Sequence, residues 1–521
     1  MSAAPPSLDF PRSYNAAHDL LTRQIDAGRG DVIACVDDHG AHTYTTLLAR
    51  ANQVGNLLRQ RGVMIEQRVL LLLHDTADFI ACFLGAMQIG AVPVPVNTLL
   101  TSADYHHILH DSRARLLFVS DALLARIEPA LAFIADPPPL VVVRSPLGGD
   151  AGPHPRLDEL LADLSSRLVP AATTPDDVAF WLYSSGSTGA PKAAVHLHAH
   201  LARTAVLYAQ NVLGLHAGDT VYSAARLFFA YGLGNALTFP LYLGARTILR
   251  AERPTPALVL ATLREHAVTV FSGVPTLFAS LLAAPELDPS GLALRIANSA
   301  GEALPRHLGE QWRARLGSDI LDGIGSTELL HIFLSNAPGD LRYGSSGRPV
   351  PGYELRLLDD DGAPVADGDE GSLWVRGPTA AVAYFNQRAR SLATFHGEWT
   401  RTGDRYVREA DGRYVYAGRA DDMLKVGGIW VSPFEVESAL AAHDAVLEAA
   451  VVGHADDDQL IKPRAYIVLK DPAAAGEALA HELKQFVKAA LAPYKYPRWI
   501  DFVVELPKTA TGKIQRFRLR A

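Results

Sequence analysis

Cysteine is almost absent. The 521 residues hold two, Cys35 and Cys82. Neither sits in a CxxC or a Cys/His metal spacing, so a disulfide scaffold and a thiolate metal centre are excluded, and both are expected as reduced core thiols. No apolar run reaches 18 residues. The densest, residues 69–73, is ended by His74 and Asp75 and reads as a buried strand, which excludes a membrane span. Residues 1–10 lack the basic-then-apolar order of a signal peptide, so a cytoplasmic, soluble protein is expected. Positive charge is not in excess either: 48 Lys+Arg face 56 Asp+Glu, for a net −8. No whole-chain field favours nucleic acid. Solenoid-length repeats and low-complexity tracts are missing as well.

What remains is an ordinary globular composition, 49% hydrophobic and 20% charged, on a chain long enough for about three to four folding units. Residues 68–73, 77–89 and 91–96 read as strand, helix and strand, which predicts a parallel sheet with covering helices. Residues 116–119 and 140–143 repeat the strand signal, and 136–155, rich in Pro and Gly, reads as a surface loop between subdomains. A second α/β region is expected from about 178 to 330, with strands at 268–271 and 320–321. Beyond 345 come short strands at 353–358, 371–376, 405–408 and 413–416, the last two around an Asp411-Gly412 hairpin signal. A domain boundary is placed at Asp421. The fold class is therefore α/β: a large N-terminal region (1–420) of stacked α/β subdomains plus a small β-rich one, then a small mobile α+β domain (421–521).

The strongest chemical signal is YSSGSTGAPK at 183–192, directly after the apolar segment 178–182. Small hydroxyl residues and glycines let backbone N–H and side-chain O–H groups close around an anion, and Lys192 adds a positive charge. This is a polyphosphate cradle without the GxxxxGK[ST] order of a Walker A loop, since Gly186 and Gly189 are followed by Pro191-Lys192-Ala193. The same order of motifs continues as SAGEALP (299–305), DGIGSTE (322–328), EGSLWVRGP (370–378), TRTGD (400–404), GRADDMLKVGG (418–428) and PKTATGKIQR (507–516). Together they resemble the ANL superfamily of adenylate-forming enzymes, over the chain from about 180 to the end.

The resemblance implies ATP-dependent activation of a carboxylate as an acyl-adenylate, followed by transfer to the thiol of coenzyme A. Attack of a carboxylate oxygen on the α-phosphorus of ATP brings anions together, so it needs cations and oriented dipoles. On that resemblance, Ser184, Ser185, Gly186, Ser187, Thr188, Gly189 and Lys192 cradle phosphates, with Thr188 also catalytic. Glu328 is the Mg²⁺ ligand, a hard carboxylate for a hard ion. Ala300, Gly301, Glu302, Asp322, Gly323, Ile324, Ser326 and Thr327 belong to the adenine and phosphate walls. Asp404 accepts the ribose hydroxyls, supported by Arg419. Lys513 is the adenylation lysine. Asp421 is a hinge about which the C-terminal domain turns to bring Lys425, Gly427 and Gly428 to the pantetheine arm.

For the acyl pocket the resemblance points to Phe229, Ala230, Tyr231, Ala300, Gly325, His331 and Ile332, a small, flat, mostly apolar space. Residues 227–235 offer no acid to hold an α-ammonium, which argues against an amino-acid substrate. The expectation is ligation of benzoate to CoA. The alternatives are a hydroxy-, amino- or halobenzoate substrate, a stand-alone adenylation enzyme serving a carrier protein, and a non-catalytic nucleotide-binding or nucleic-acid-binding protein. The basic tail around Arg516, Arg518 and Arg520 interleaves one aromatic, Phe517, a poor stacking platform for nucleic acid. Expected partners are small molecules, with no membrane and no nucleic acid; a homodimer and a lysine acetyltransferase/deacetylase pair acting on Lys513 complete the candidates.

Overall fold

Strands too apolar to face water on either side set the architecture. RVLLL, VPVP, LLFVS and LVVV, at Arg68–Leu72, Val92–Pro95, Leu116–Ser120 and Leu140–Val143, are buried along nearly their whole lengths, the signature of a parallel sheet covered on both faces. They pair in parallel in the order Val92–Pro95, Arg68–Leu72, Leu116–Ser120, Leu140–Val143. Helix Ala77–Gln88 makes the first crossover and is buried from Phe79 onward. It lies against helix Tyr44–Gln60 so closely that a Cβ on Gly85 would sit 2.5 Å from the Ala51 carbonyl oxygen. The computed structural model describes residues 8–186, 189–419, 422–426, 429–456, 461–491, 495–508 and 514–520. For 185, 186, 189, 190, 425, 429 and 430 it describes backbone alone.

A nine-stranded sheet forms the second layer. Its six central strands run parallel in the order Asp319–Gly325, Ile296–Ser299, Val270–Gly273, Thr220–Ser223, Arg246–Ile248, Ile33–Asp37. The expected division into two consecutive α/β units is corrected here. Strand Ile33–Asp37, from the start of the chain, is recruited into the second sheet beside Arg246–Ile248. The strand expected at 140–143, inside the Pro- and Gly-rich stretch 136–155, forms and is buried. Because neighbouring strands are parallel, the carboxyl ends of Ile296–Ser299 and Asp319–Gly325 deliver residues 299–302 and 322–325 to one sheet edge. That crevice is where open α/β sheets bind ligands.

Antiparallel strands Glu354–Leu358, Glu370–Arg376, Trp399–Arg408 and Tyr414–Arg419 follow. Asp411-Gly412 makes the last turn, with Gly412 at φ +81°. Further on, strands Val446–Ala455, Ile461–Leu469 and Trp499–Phe502 and helices Pro433–Ala441 and Glu477–Ala490 enclose a separate core of Val436, Leu440, Val451, Ile467, Leu483 and Val487. Cys35 and Cys82 are buried and unbonded, as expected, and burial pushes both thiols well up. Among the described residues no helix is long and apolar enough to cross a membrane.

Candidate active site

Strands Val178–Gly186 and Gly189–Leu197 pair antiparallel with Gly186 opposite Gly189. The two strands thus form a β-hairpin, and Lys192 stands on the return strand opposite Ser184. Ser187 and Thr188 lie outside the described residues. Ser184 Oγ is buried with no hydrogen-bond partner among the described residues, a polar atom left for a ligand to satisfy. Residues 381–385 run along the hairpin, bridged to it at Ala194 opposite Tyr384, through Val195 N to Ala383 O (3.0 Å), Val382 N to Val195 O (3.0 Å) and Phe385 N to Ala193 O (2.9 Å).

That added segment joins the hairpin to Glu328. Ala381 N donates to the Glu328 carbonyl at 2.7 Å. Tyr384 places its hydroxyl between two charges, accepting from Lys192 Nζ at 2.7 Å and donating to Glu328 Oε1 at 2.6 Å. Lys192 Nζ lies 3.1 Å from Glu328 Oε1, with side-chain exposures of 20% and 15%. Burial alone would raise the Glu328 carboxyl, but the Lys192 charge and the Tyr384 hydrogen bond outweigh it and hold it below its ordinary value. Glu328 is therefore an ionised, largely buried carboxylate. His196 approaches from the other side, bonding the Thr327 carbonyl through Nε2 at 2.8 Å.

The adenine-side residues fall on the two strand ends. Asp322 is buried, receives Leu304 N at 3.2 Å, and burial pushes its carboxyl well up. It fixes the end of the 300–305 turn rather than presenting a charge to a ligand. Gly323 and Gly325 are pressed against the neighbouring strand, where a Cβ would come within 2.9 Å of the Leu334 carbonyl and 2.5 Å of the His331 carbonyl. Ile324 is half-buried beside them. Gly301, at φ +99°, is exposed on the turn. Glu302 Oε1 receives Ile514 N at 3.1 Å, so the residue after Lys513 is docked on this wall. Lys513, Asp421, Gly427 and Gly428 lie outside the described residues, and Lys425 is described only in its strand, Leu424–Val426. Asp404 is buried and pairs with Arg419 Nη1 at 3.1 Å.

Next to Glu328 the chain makes a strained turn. Ser326 caps it, its hydroxyl receiving Leu329 N at 3.3 Å. Leu330 has φ +66° and ψ −42°, with His331 N bonded to Leu329 O at 2.8 Å: a γ-turn of the rare strained hand. It sends the His331 ring inward, among Phe239 (ring centres 4.5 Å apart), Tyr208 (5.3 Å) and Tyr231 (5.6 Å). His331 Nε2 bonds the Tyr231 carbonyl at 3.3 Å. Burial lowers the imidazole to about 3, so it is neutral. The Tyr231 hydroxyl donates to the Asn298 carbonyl at 3.0 Å. His331 Nδ1, Asn235 Nδ2, Asn298 Oδ1 and Ser299 Oγ are buried without partners among the described residues. Ala300 and Ile332 are buried nearby, while Phe229 packs on Phe228 with ring centres 4.4 Å apart and is half-buried, as is Ala230. Two π-helical segments, Ala205–Gln210 and Gly234–Thr238, carry Tyr208 and Asn235, and such wide turns recur at functional sites.

Residues 21–385 match the model of the AMP-binding enzyme family, and residues 435–513 match that of the AMP-binding enzyme C-terminal domain. The chain belongs to the AMP-binding enzyme family. It is 56% identical to the benzoate–CoA ligase of Thauera aromatica over 523 aligned residues, covering 100% of this chain and 98% of that protein. The crystal structure of a benzoate CoA ligase from Burkholderia xenovorans LB400 is 52% identical, with a TM-score of 0.91 over 98% of this chain and 100% of that one. An anthranilate CoA ligase in complex with anthranoyl-AMP is 43% identical, with a TM-score of 0.94 over 98% of this chain and 97% of that one.

Lys192 thus meets Glu328 on one side of the Leu330 turn, and Tyr231 meets His331 on the other. The sequence reading missed Tyr384, His196, Tyr208, Phe239 and Asn298. Tyr384 lies 192 positions from Lys192, with no local pattern to link them. His196, in contrast, carried a weak signal, a histidine four residues past Lys192 on the same strand.

Proposed function

We propose that the chain is an AMP-forming benzoate–CoA ligase, joining benzoate to coenzyme A through benzoyl-adenylate with release of pyrophosphate and then AMP. The observation that carries the substrate is the neutral His331 ring enclosed by Tyr208, Tyr231 and Phe239. The uncharged aromatic surroundings of that ring support an acyl pocket suited to an aryl ring and hostile to an α-ammonium. The named relatives act on benzoate and anthranilate, and the identity over the full chain supports the same chemistry here.

In the first half-reaction a benzoate oxygen attacks the α-phosphorus and pyrophosphate leaves. Lys192 and the hairpin N–H groups take the phosphate charge, which is stabilisation placed where charge accumulates. Asp404, steadied by Arg419, accepts from the ribose hydroxyls. Lys513 bridges carboxylate and α-phosphate, a role supported by the docking of Ile514 on Glu302. Among the described residues no group of three or more His, Cys, Asp or Glu side chains could cage a metal. A lone ionised carboxylate, Glu328, fits Mg²⁺, which takes its other ligands from phosphate and water and would neutralise phosphate charge when bound. In the second half-reaction the CoA thiol attacks the acyl carbon and AMP leaves. Residues 421–521 turn about Asp421 for this step, bringing the loop of Lys425, Gly427 and Gly428 to the pantetheine arm.

The test is pyrophosphate release with ATP and Mg²⁺ over benzoate, substituted benzoates, cinnamate, acetate, hexanoate and phenylalanine, each with and without CoA. CoA-dependent turnover led by benzoate is expected. Turnover led by an aliphatic or amino acid would overturn the substrate, and CoA-independent turnover would favour a carrier protein as acceptor.

A further inference from the structure

We infer that Tyr384 is the positioning residue for Glu328 and Lys192, holding carboxylate and ammonium together in a preassembled phosphate and metal corner. Among the described residues its hydroxyl is the one group hydrogen-bonded to both charges, at 2.6 and 2.7 Å. The Lys192 ammonium also lies 4.2 Å from the Tyr384 ring centre, so the tyrosine touches the cation with its face as well as its edge. The phenol itself is held. Its ring packs on Phe395 with centres 5.2 Å apart, and its backbone N–H donates to Ser391 Oγ at 3.0 Å. The segment that carries it is hydrogen-bonded at Ala381 to the Glu328 carbonyl and at Ala383 and Phe385 to the hairpin strand that carries Lys192. A shift of Tyr384 therefore moves both charged groups together.

The physical need is specific. Lys192 and Glu328 are already in contact at 3.1 Å, and the pair must open for phosphate and cation to bind. A hydroxyl that donates to one and accepts from the other keeps each oriented while sharing its hydrogen-bonding capacity. Tyr384 touches no reacting atom in this arrangement and acts through Glu328 and Lys192.

The inference rests on the proposed role of Glu328 toward Mg²⁺, and the test separates the two. Tyr384→Phe, Glu328→Gln and the double variant are compared by ATP–pyrophosphate exchange against Mg²⁺ concentration, and by calorimetric titration of ATP with Mg²⁺ or with EDTA. Tyr384→Phe is expected to raise half-saturating Mg²⁺ and weaken Mg²⁺-dependent ATP binding by about tenfold, the worth of a hydrogen bond to a charged group. ATP binding in EDTA, which reads Lys192, should weaken less than binding with Mg²⁺, the KM for benzoate should stay within about twofold, and the Mg²⁺ dependence of the double variant should match that of Glu328→Gln, as residues acting through one another do. An unchanged Mg²⁺ dependence in Tyr384→Phe beside a shifted one in Glu328→Gln would overturn the role of Tyr384. An unchanged dependence in Glu328→Gln would instead overturn the role of Glu328. Additive losses, or equal losses of ATP binding with and without Mg²⁺, would reduce Tyr384 to packing.

Discussion

Glu328 and His331 are three residues apart, both withdrawn from water, and treated in opposite ways. Glu328 is kept charged, because Lys192 and Tyr384 more than offset the cost of its burial. His331 is kept neutral, because burial among Tyr208, Tyr231 and Phe239 meets no compensating charge. Adenylation requires both environments within one crevice. Polyphosphate needs a counter-charge that is already in place, and an aryl ring needs a pocket from which charge has been removed. The γ-turn at Leu330 is the joint between them.

The sharpest way to break the contrast is Lys192→Met. It leaves the Glu328 carboxylate buried without its cation and removes a charge directed at phosphate. We expect adenylation to fall by about 10²–10³-fold, the usual loss when one oriented donor to developing charge is removed, with the benzoate affinity of the free enzyme nearly unchanged. Single-turnover formation of benzoyl-adenylate and benzoate titration by fluorescence read the two separately. On the neutral side, His331→Ala opens a gap beneath Tyr231 and should raise the benzoate KM by about 10–50-fold, a loss of packing of about 1.4–2.3 kcal/mol. The KM for ATP should hold, and bulkier aryl acids should gain relative to benzoate.

Much of this contrast was legible from the chain and some of it was not. The glycine-serine phosphate motif, Glu328, Asp404, Tyr231 and His331 stand in or beside short motifs that resemble those of the family, and the roles expected of them come from that resemblance. The strands at 68–72, 116–120 and 140–143 were readable because fully buried parallel strands are continuously apolar. Tyr384 was hidden because its partners are set by strand pairing across nearly two hundred residues, and Ile33–Asp37 because nothing local says which sheet an apolar strand joins. The strained turn at Leu330 was hidden for a third reason: leucine gives no hint of a positive φ.

Acidity distinguishes the two environments by window. His331 and His196 are lowered to about 3 and about 4 by burial, whereas an unfolded histidine titrates near 6.5. Below pH 6.5 the unfolded chain takes up protons that the folded chain refuses. Their contribution is complete above 6.5 and is lost as pH falls toward 4, by about 1.4 kcal/mol per pH unit for each histidine. Glu328 is also shifted down, below its ordinary 4.5, but for a carboxyl that favours the charged form, so its contribution persists until pH drops beneath that value. Asp75 and Asp322, both raised by burial, oppose the histidines. Denaturant unfolding of wild type and His331→Asn between pH 6.5 and 5 should show the variant's slope flatter by about one proton, and equal slopes would contradict a neutral His331 in the folded state.

The finest comparison is one chemical change made in both regions. Tyr231→Phe and Tyr384→Phe each delete one hydroxyl and keep the ring. The Tyr231 hydroxyl donates to a neutral carbonyl, that of Asn298, and its removal should cost about 1 kcal/mol of stability and shift the benzoate KM by no more than about threefold. The Tyr384 hydroxyl joins two charges, and charge-assisted hydrogen bonds are about twice as strong. Its loss should appear in Mg²⁺ dependence and leave benzoate KM alone. If Tyr231→Phe instead proved the more damaging of the two, and damaging to benzoate binding, the hydroxyl at Tyr231 would be holding the pocket's shape through Asn298. The neutral side would then depend on hydrogen-bond geometry as strictly as the charged side does.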